Sequence, residues 1–186
     1  DTGTLRQVTD PQTYSALVYD PPHPQHHPLP LILVLHGAGR NNQDIEELAD
    51  PRGEHAGLIP SLLASGRAPK ELTEQFAVVA PYSFQKRSFY EEPRRKLLQF
   101  VEWMCSEEGR AAGCPLVDPN RIFLFGFSDG ATVAVELLTT GKFAGGVICS
   151  YGFTGRLPDL AVERLTNLPL WVFHSADDAI FPVKCS

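Results

Sequence analysis

The chain has 186 residues, of which 43% are apolar and 20% are charged, and its formal net charge at pH 7 is −6. This balance is typical of one globular domain, and we expect residues 1–186 to form a single domain. The acidic net charge argues against a nucleic-acid partner, because phosphate backbones are bound by clustered Lys and Arg side chains. No apolar run is long enough to span a bilayer, and no targeting pattern predicts a localisation.

The first half of the chain begins with a segment of alternating polarity and a proline-rich connection. Residues 12–20 alternate apolar and polar side chains, which predicts an edge strand. Residues 21–30 contain five prolines, and we expect an extended surface connection there because proline fixes φ and lacks an amide donor. The first continuous apolar run, LILVLHG, follows directly and predicts a strand that is buried on both faces.

Further apolar runs of the same kind alternate with helical patterns. The predicted buried strands cover residues 31–37, 76–83, 121–127, 143–152 and 168–175. Helices are predicted at 59–66, at 93–109 with Pro93 in the first turn and Gly109 as a stop, and at 129–141 with Gly141 as the C-terminal cap. This alternation predicts an α/β fold with a mostly parallel central sheet and helices on both faces.

The four cysteines predict no metal site. Their positions, 105, 114, 149 and 185, match no metal-ligand spacing, and no cofactor or metal is implied elsewhere. Cys149 lies in an apolar run and is interpreted as a small buried hydrophobic residue. Cys105 and Cys114 flank a polar turn and would be able to form a disulfide in an oxidising compartment.

The pentapeptide GFSDG, residues 126–130, lies between the third buried strand and the helix that follows it. At such a junction a serine is forced into a strained turn, and small neighbours such as Gly126 and Gly130 make room for it. The turn lifts the hydroxyl of Ser128 above the carboxyl edge of the sheet, where α/β folds bind ligands. The amide of Asp129, at the first turn of the helix, is placed to stabilise an oxyanion. We therefore predict that Ser128 is a nucleophile.

A glycine-rich turn, HGAG at residues 36–39, directly follows the first buried strand. Acyl transfer uses two amide donors around the oxyanion, and a glycine here lets the backbone approach the substrate closely. We assign Gly37 and Ala38 to the oxyanion hole, with the Ala38 amide as donor. His36 is interpreted as a residue that stabilises the turn.

A nucleophilic serine needs a histidine base that is oriented by a carboxylate. In the strand order argued above, the carboxylate follows the serine, on a loop after a later strand. The segment HSADDAIFP, residues 174–182, lies at the end of the fifth run. Asp177 and Asp178 both qualify by position, and spacing alone does not separate them.

In these stretches the chain resembles the α/β-hydrolase superfamily, and within it the peptidase and esterase group related to polyhydroxybutyrate depolymerases, feruloyl esterases and carboxylesterase/phospholipase enzymes. The matching stretches are LILVLHGAG, FAVVAPYS, VDPNRIFLFGFSDGA and LPLWVFHSADDAIFPV, in that order. The resemblance implies an α/β-hydrolase fold and selects Asp178 as the acid. The chain departs from the group's pattern at Ser175, where glycine is usual, at Phe181, where valine is common, and at Asp129, where methionine or glutamine is frequent.

The resemblance also implies a histidine after the acid, and none follows Asp178 in the sequence. The six histidines are His23, His26, His27, His36, His55 and His174, and none fits the expected position. We therefore expect that this chain lacks the C-terminal strand and helix of the fold. The base would then come from a missing C-terminal segment or from a second chain.

Two functional hypotheses follow. The first is a serine hydrolase that cleaves small-molecule carboxylic esters through an acyl-enzyme intermediate on Ser128, with a peptidase or thioesterase of the same fold as its variant. The second is a non-catalytic binding module that lacks the base. Three aromatic residues near strand ends, Phe127, Tyr82 and Tyr151, either contact an aryl or medium-length acyl ester or are ordinary core residues, and the sequence leaves both alternatives open.

Overall fold

The protein is described by a computed structural model that covers residues 3–22, 27–39, 44–83, 88–153 and 155–186. Within these ranges the strands are β1 (Leu5–Thr9), β2 (Ser15–Tyr19), β3 (Leu29–Leu35), β4 (Ala77–Pro81), β5 (Val117–Phe127), β6 (Gly145–Cys149) and β7 (Leu170–Phe173). The α-helices are α1 (Ile59–Ala64), α2 (Lys70–Gln75), α3 (Arg94–Met104), α4 (Glu107–Ala111), α5 (Asp129–Leu138) and α6 (Asp159–Thr166). Short 3₁₀ turns lie at Ile45–Leu48, Phe89–Glu91 and Val183–Cys185.

The strands of the described residues form one sheet in the order β1-β2-β4-β3-β5-β6-β7. All pairs from β4 to β7 are parallel, whereas β1 and β2 pair antiparallel with their neighbours. This topology confirms the expected mostly parallel sheet. The expectation that the segment at 12–20 is an edge strand is wrong, because β2 pairs with β1 on one side and with β4 on the other.

Both faces of the sheet are covered, as the continuous apolar runs indicate. Successive residues of β4 alternate between two cores: Ala77 and Val79 face one, and Val78 and Ala80 face the other. The larger core is shared with apolar residues of α3 and α5, and the smaller one with the Ile45–Leu48 turn and α1. The prediction of helices on both faces is therefore confirmed.

The helix predicted at 93–109 is two helices. α3 ends at Met104, and the Ser106 hydroxyl accepts a hydrogen bond from the Gly109 amide to begin α4. Gly109 is not a stop. It is buried inside α4, where a Cβ atom would lie 2.2 Å from the carbonyl oxygen of Trp103. The glycine is needed for this close approach of the second helix to the end of the first.

The cysteines are free thiols, so the Cys105–Cys114 disulfide is absent from the structure. Burial raises the pKa of the Cys114 thiol to about 12. Cys105, the residue directly after α3, is half-buried.

Part of the proline-rich connection, residues 23–26, lies outside the described residues. Among the helices that are described, none combines the length and the apolar character that crossing a membrane requires.

The sheet is unequally covered at its two edges. β7 is the last strand of the described sheet, and Trp171, Val172 and Phe173 on it are 66%, 47% and 45% exposed. The rings of Trp171 and Phe173 pack against each other at an interplanar angle of 42°, with centroids 4.8 Å apart. At the opposite end, the antiparallel β1 and β2 extend the sheet beyond β4.

Candidate functional site

The turn at Ser128 joins the end of β5 to the start of α5. Ser128 has φ 55° and ψ −120°, a backbone conformation that non-glycine residues rarely adopt. Its amide donates a hydrogen bond to the carbonyl oxygen of Cys149 on β6 (3.0 Å), and its carbonyl oxygen accepts one from the amide of Ala131 (2.9 Å). These bonds hold a strained backbone in place at the carboxyl edge of the sheet, which is typical of a functional position.

The glycines of the pentapeptide are needed for packing rather than for φ. A Cβ atom at Gly130 would lie 2.2 Å from the carbonyl oxygen of Leu35, and one at Gly126 would lie 2.6 Å from the Cα atom of Ala131. Real Cβ atoms do not approach backbone atoms so closely. The absence of these side chains therefore lets α5 begin directly against the ends of β3 and β5.

The turn after β3 lies beside Ser128 because β3 and β5 are neighbours in register. Leu35 pairs with Gly126, so both strands end at the same level and their following turns meet. A Cβ atom at Gly37 would lie 3.0 Å from the Cβ atom of Ser128 and 3.1 Å from the ring of Phe127. The structure thus brings together the two segments that the sequence singled out.

Several backbone amides of these turns have no acceptor among the described residues. They include those of Ala38, which is exposed, and of Asp129, the first residue of α5. An unpaired amide at the first turn of a helix also experiences the positive end of the helix dipole. Both groups are therefore available to bind an anionic oxygen.

The acid loop, which follows β7, contains Asp177 and Asp178, and the structure places their carboxylates in different surroundings. The Asp178 carboxylate accepts hydrogen bonds from the amides of Ile180 and Phe181, both 2.9 Å long, and its side chain is 15% exposed. These bonds lower the pKa of Asp178, with the Phe181 amide as the largest cause. Asp177 lies at the surface, where its carboxylate accepts a hydrogen bond from the Ser175 hydroxyl.

The His174 side chain is buried and contacts residues of this loop through both ring nitrogens. Its side chain is 2% exposed, its Nε2 atom lies 2.7 Å from the Phe181 carbonyl oxygen and 3.3 Å from Asp178 Oδ2, and its Nδ1 atom lies 2.5 Å from the Ser186 hydroxyl. Both ring nitrogens are thus occupied within the loop. His174 therefore holds together the segment that carries Asp178.

The loops that carry Ser128 and Asp178 follow two strands that are not neighbours. Ser128 follows β5 and Asp178 follows β7, with β6 between them. Neighbouring strands are about 4.8 Å apart, so the ends of these two strands are about 10 Å apart. Ser128 has no hydrogen bond to any histidine in the part of the chain that the structure describes.

The three aromatic residues predicted to contact substrate differ in exposure. Phe127 is 37% exposed beside Gly37. Tyr151 is only 9% exposed, and burial raises its pKa to about 12. Tyr82 is fully buried, and its hydroxyl donates a hydrogen bond to the Glu47 carboxylate (2.8 Å). No part of the Tyr82 side chain reaches the surface, so its position gives no support to the predicted substrate contact.

Tyr82 instead belongs to a buried aromatic cluster that sequence reasoning missed. The ring of His36 lies at its centre, with ring centroids 4.9 Å from His55, 5.3 Å from Tyr82 and 4.7 Å from Phe89. Burial lowers the pKa of His36 to about 3. The only signal of this cluster in the sequence is the position of His36, directly after the first buried strand and before the turn that meets Ser128.

Within the described ranges no three His, Cys, Asp or Glu side chains group as a metal site would require.

Comparison with known proteins gives a family and a fold. A family model described as Phospholipase/Carboxylesterase matches residues 20–186. No curated protein matches the chain significantly. The match covers every segment discussed above, from the end of β2 to the acid loop.

Solved structures share the architecture. The chain is 22% identical to a thermostable esterase, with a TM-score of 0.62, and the match covers 99% of this chain and 49% of that one. An acylaminoacyl peptidase from Pyrococcus horikoshii has 14% identity and a TM-score of 0.62 over 100% of this chain and 34% of its own. A structure titled m3DLH has 21% identity and a TM-score of 0.56 over 98% and 72%. The chain thus spans about half the length of the esterase and about a third of that of the peptidase, and the likeness confirms the predicted α/β-hydrolase fold.

Proposed function

Because the chain belongs to the phospholipase/carboxylesterase family, we propose that it is a serine hydrolase that cleaves carboxylic esters through an acyl-enzyme intermediate on Ser128. The observation that carries the proposal is the strained turn at Ser128, with the unpaired amides of Ala38 and Asp129 on the two segments that meet there. A strained serine with free amide donors beside it is the arrangement that acyl transfer needs.

In the proposed reaction, the Ser128 hydroxyl oxygen attacks the ester carbonyl carbon while a histidine base takes its proton. The carbonyl oxygen becomes an oxyanion that accepts hydrogen bonds from the Ala38 and Asp129 amides, with Gly37 allowing the close approach. The carbon–oxygen bond to the alcohol then breaks, and the histidine returns the proton to the leaving alcohol. Water repeats the sequence on the acyl-enzyme and releases the acid.

Asp178 is the carboxylate that we assign to orient the base. Its two amide donors keep it ionised, because hydrogen bonds to the carboxylate lower its pKa. We assign the imidazole ring to a position between the Ser128 and Asp178 side chains, whose strands are two strand spacings apart. We propose that this ring comes from outside the described residues, from a further segment of the protein or from a second chain.

The substrate that we propose is a small ester with an aryl or medium-length acyl group. The exposed ring of Phe127 beside Gly37 offers an apolar surface for it next to the nucleophile. A panel of p-nitrophenyl esters of increasing acyl length tests this assignment. The optimum should move to shorter chains, or disappear, in Phe127→Ala.

A fluorophosphonate probe, which labels activated serines, tests the nucleophile in the full-length protein. Ser150 provides a matched control, since it is also a serine with positive φ (54°) and lies at the end of the neighbouring strand β6. We expect the wild type and Ser150→Ala to be labelled and Ser128→Ala to remain unlabelled. Labelling of Ser128→Ala at the wild-type level would rule out Ser128 as the nucleophile.

The second candidate is a non-catalytic binding module. It is favoured by one observation, namely that no described histidine has a hydrogen bond to Ser128. The same probe separates the two hypotheses. If neither the wild type nor Ser150→Ala is labelled and no ester is hydrolysed, the binding module becomes the better reading.

A further inference from the structure

The buried cluster around His36 lies directly beneath the turn that meets Ser128. His36 is 1% exposed, and its ring packs against the rings of His55, Tyr82 and Phe89. Tyr82 is itself held by the hydrogen bond from its hydroxyl to Glu47. A ring enclosed in this way has one orientation, so the hydrogen bonds of its two nitrogens are fixed in direction.

The partners of the two nitrogens determine which one carries the proton. The backbone amide of Ser83, just after β4, donates a hydrogen bond to His36 Nε2 (3.0 Å). Nε2 must therefore be the unprotonated nitrogen, and Nδ1 carries the hydrogen. That Nδ1–H group donates to the carbonyl oxygen of Gly37 at 2.7 Å. Because burial lowers the pKa of His36, this neutral form persists at neutral pH.

The carbonyl of Gly37 and the amide of Ala38 belong to the same peptide unit. That unit is planar and trans, so its C=O and N–H bonds point in opposite directions. A donor that holds the Gly37 carbonyl on one side therefore turns the Ala38 N–H to the other side. The orientation of this amide is then set by His36 and not by the loop alone.

We propose that His36 is a positioning residue, whose Nδ1–H group holds the Gly37 carbonyl so that the Ala38 amide faces the oxyanion formed on Ser128. The inference rests on the proposed function, since it assigns a role within the oxyanion hole of that reaction. Through Ser83, it also ties the turn after β3 to the segment after β4, on the neighbouring strand. The turn that meets Ser128 is thereby held from two sides.

Two substitutions separate this role from simple packing. The side-chain amide nitrogen of asparagine stands where Nδ1 stands, and that of glutamine stands near Nε2. His36→Asn therefore keeps a donor for the Gly37 carbonyl, and His36→Gln does not. Both lose the ring and its contacts, so both should be destabilised to a similar extent.

The kinetic measurement is kcat and KM for an activated ester in the full-length protein. Loss of one oxyanion donor costs about 100- to 1,000-fold in kcat, so a misdirected Ala38 amide should lower kcat of His36→Gln by up to about 100-fold with little change in KM. His36→Asn should stay within about fivefold of the wild type. Equal losses in the two variants, or no loss in either, would overturn the positioning role.

A structural measurement keeps the inference separate from the proposed function. Crystal structures of both variants should show the Gly37–Ala38 peptide rotated in His36→Gln and unrotated in His36→Asn. If the wild type proves inactive, the proposed function fails, but this comparison still decides the role of His36. An unrotated peptide in both variants overturns it.

A third measurement needs no variant. The imidazole ¹⁵N spectrum of the wild type should show His36 protonated at Nδ1, with a slowly exchanging proton at about pH 7. Protonation at Nε2, or at both nitrogens, would overturn the inference even if both variants fail to fold.

Discussion

Acid should destabilise the folded protein through His36, and His36→Asn should remove this part of the pH dependence. Burial disfavours the charged ring and lowers the pKa of His36 from its ordinary value of 6.5 to about 3. Between these two values the unfolded ring binds a proton that the folded ring does not bind. The stability from the neutral buried ring is therefore fully present above pH 6.5 and is lost as the pH falls towards 3.

The magnitude follows from the size of this interval. Each pH unit within it corresponds to about 1.4 kcal/mol of unfolding free energy, and the whole interval corresponds to about 5 kcal/mol. His55, whose ring contacts that of His36, has its pKa lowered in the same direction by burial. Glu47 and Glu54 oppose this shift. Because the His55 ring contacts that of His36, the comparison also includes any change that the substitution makes in the pKa of His55.

Urea unfolding of wild type and His36→Asn, at intervals between about pH 4 and pH 8, measures the difference directly. At neutral pH the variant should be the less stable protein, because the ring contacts are lost. Below about pH 6.5 the gap should narrow by about 1.4 kcal/mol per unit. If the two stability curves run parallel across this range, the ring is not neutral and buried, and the hydrogen-bond assignment at Gly37 fails with it.

Three further results are expected. Gly130→Ala should lower the free energy of unfolding by about 3 kcal/mol or more, because its Cβ atom would overlap a β3 carbonyl oxygen. Gly141→Ala, at a residue with φ 76° and open space around it, should lower it by only about 1 to 2 kcal/mol. Thermal unfolding measures both, and equal losses would contradict the packing argument. Asp129→Asn should raise kcat for an activated ester by about two- to tenfold, because it removes a negative charge beside the developing oxyanion, and a fall in kcat would show that the carboxylate assists. Tyr82→Phe should lower the unfolding free energy by about 1 to 2 kcal/mol, since the Glu47 carboxylate loses a donor, and should leave KM unchanged; a raised KM would restore Tyr82 as a substrate contact.

The central strands could be predicted because burial on both faces gives a continuous apolar run. The five strands from β3 to β7 each overlap one of these apolar runs, and their observed ends differ from the predicted ends by a few residues. β1 escaped prediction because Leu5–Thr9 contains Arg6, Gln7 and Thr9 and pairs only at the margin of the sheet. The break after α3 was not predicted, because a glycine in the sequence usually signals a helix end. Gly109 is instead required by its close contact with Trp103 of the preceding helix.

The candidate site was predictable where one segment carries the whole signal. The pentapeptide at 126–130 and the turn at 36–39 were found because glycines mark close backbone approaches, and both lie as expected. The environment of Tyr82 was not predictable, because the acceptor of its hydroxyl, Glu47, lies in a distant 3₁₀ turn. The protonation of His36 likewise depends on an amide 47 residues away in the chain.

The contact between α5 and the ends of β3 and β5 also restricts where this protein is free to evolve. Gly126 and Gly130 have backbone atoms within 2.6 Å of any added side chain, and Gly37 is nearly as confined against Ser128. Since Ser128 is the proposed nucleophile, variation within the pentapeptide is left to Phe127, which is exposed, and Asp129, which is half-buried. Drift in what the site accepts should accumulate at these two positions, and a saturation library limited to them would sample most of the tolerated diversity of the turn.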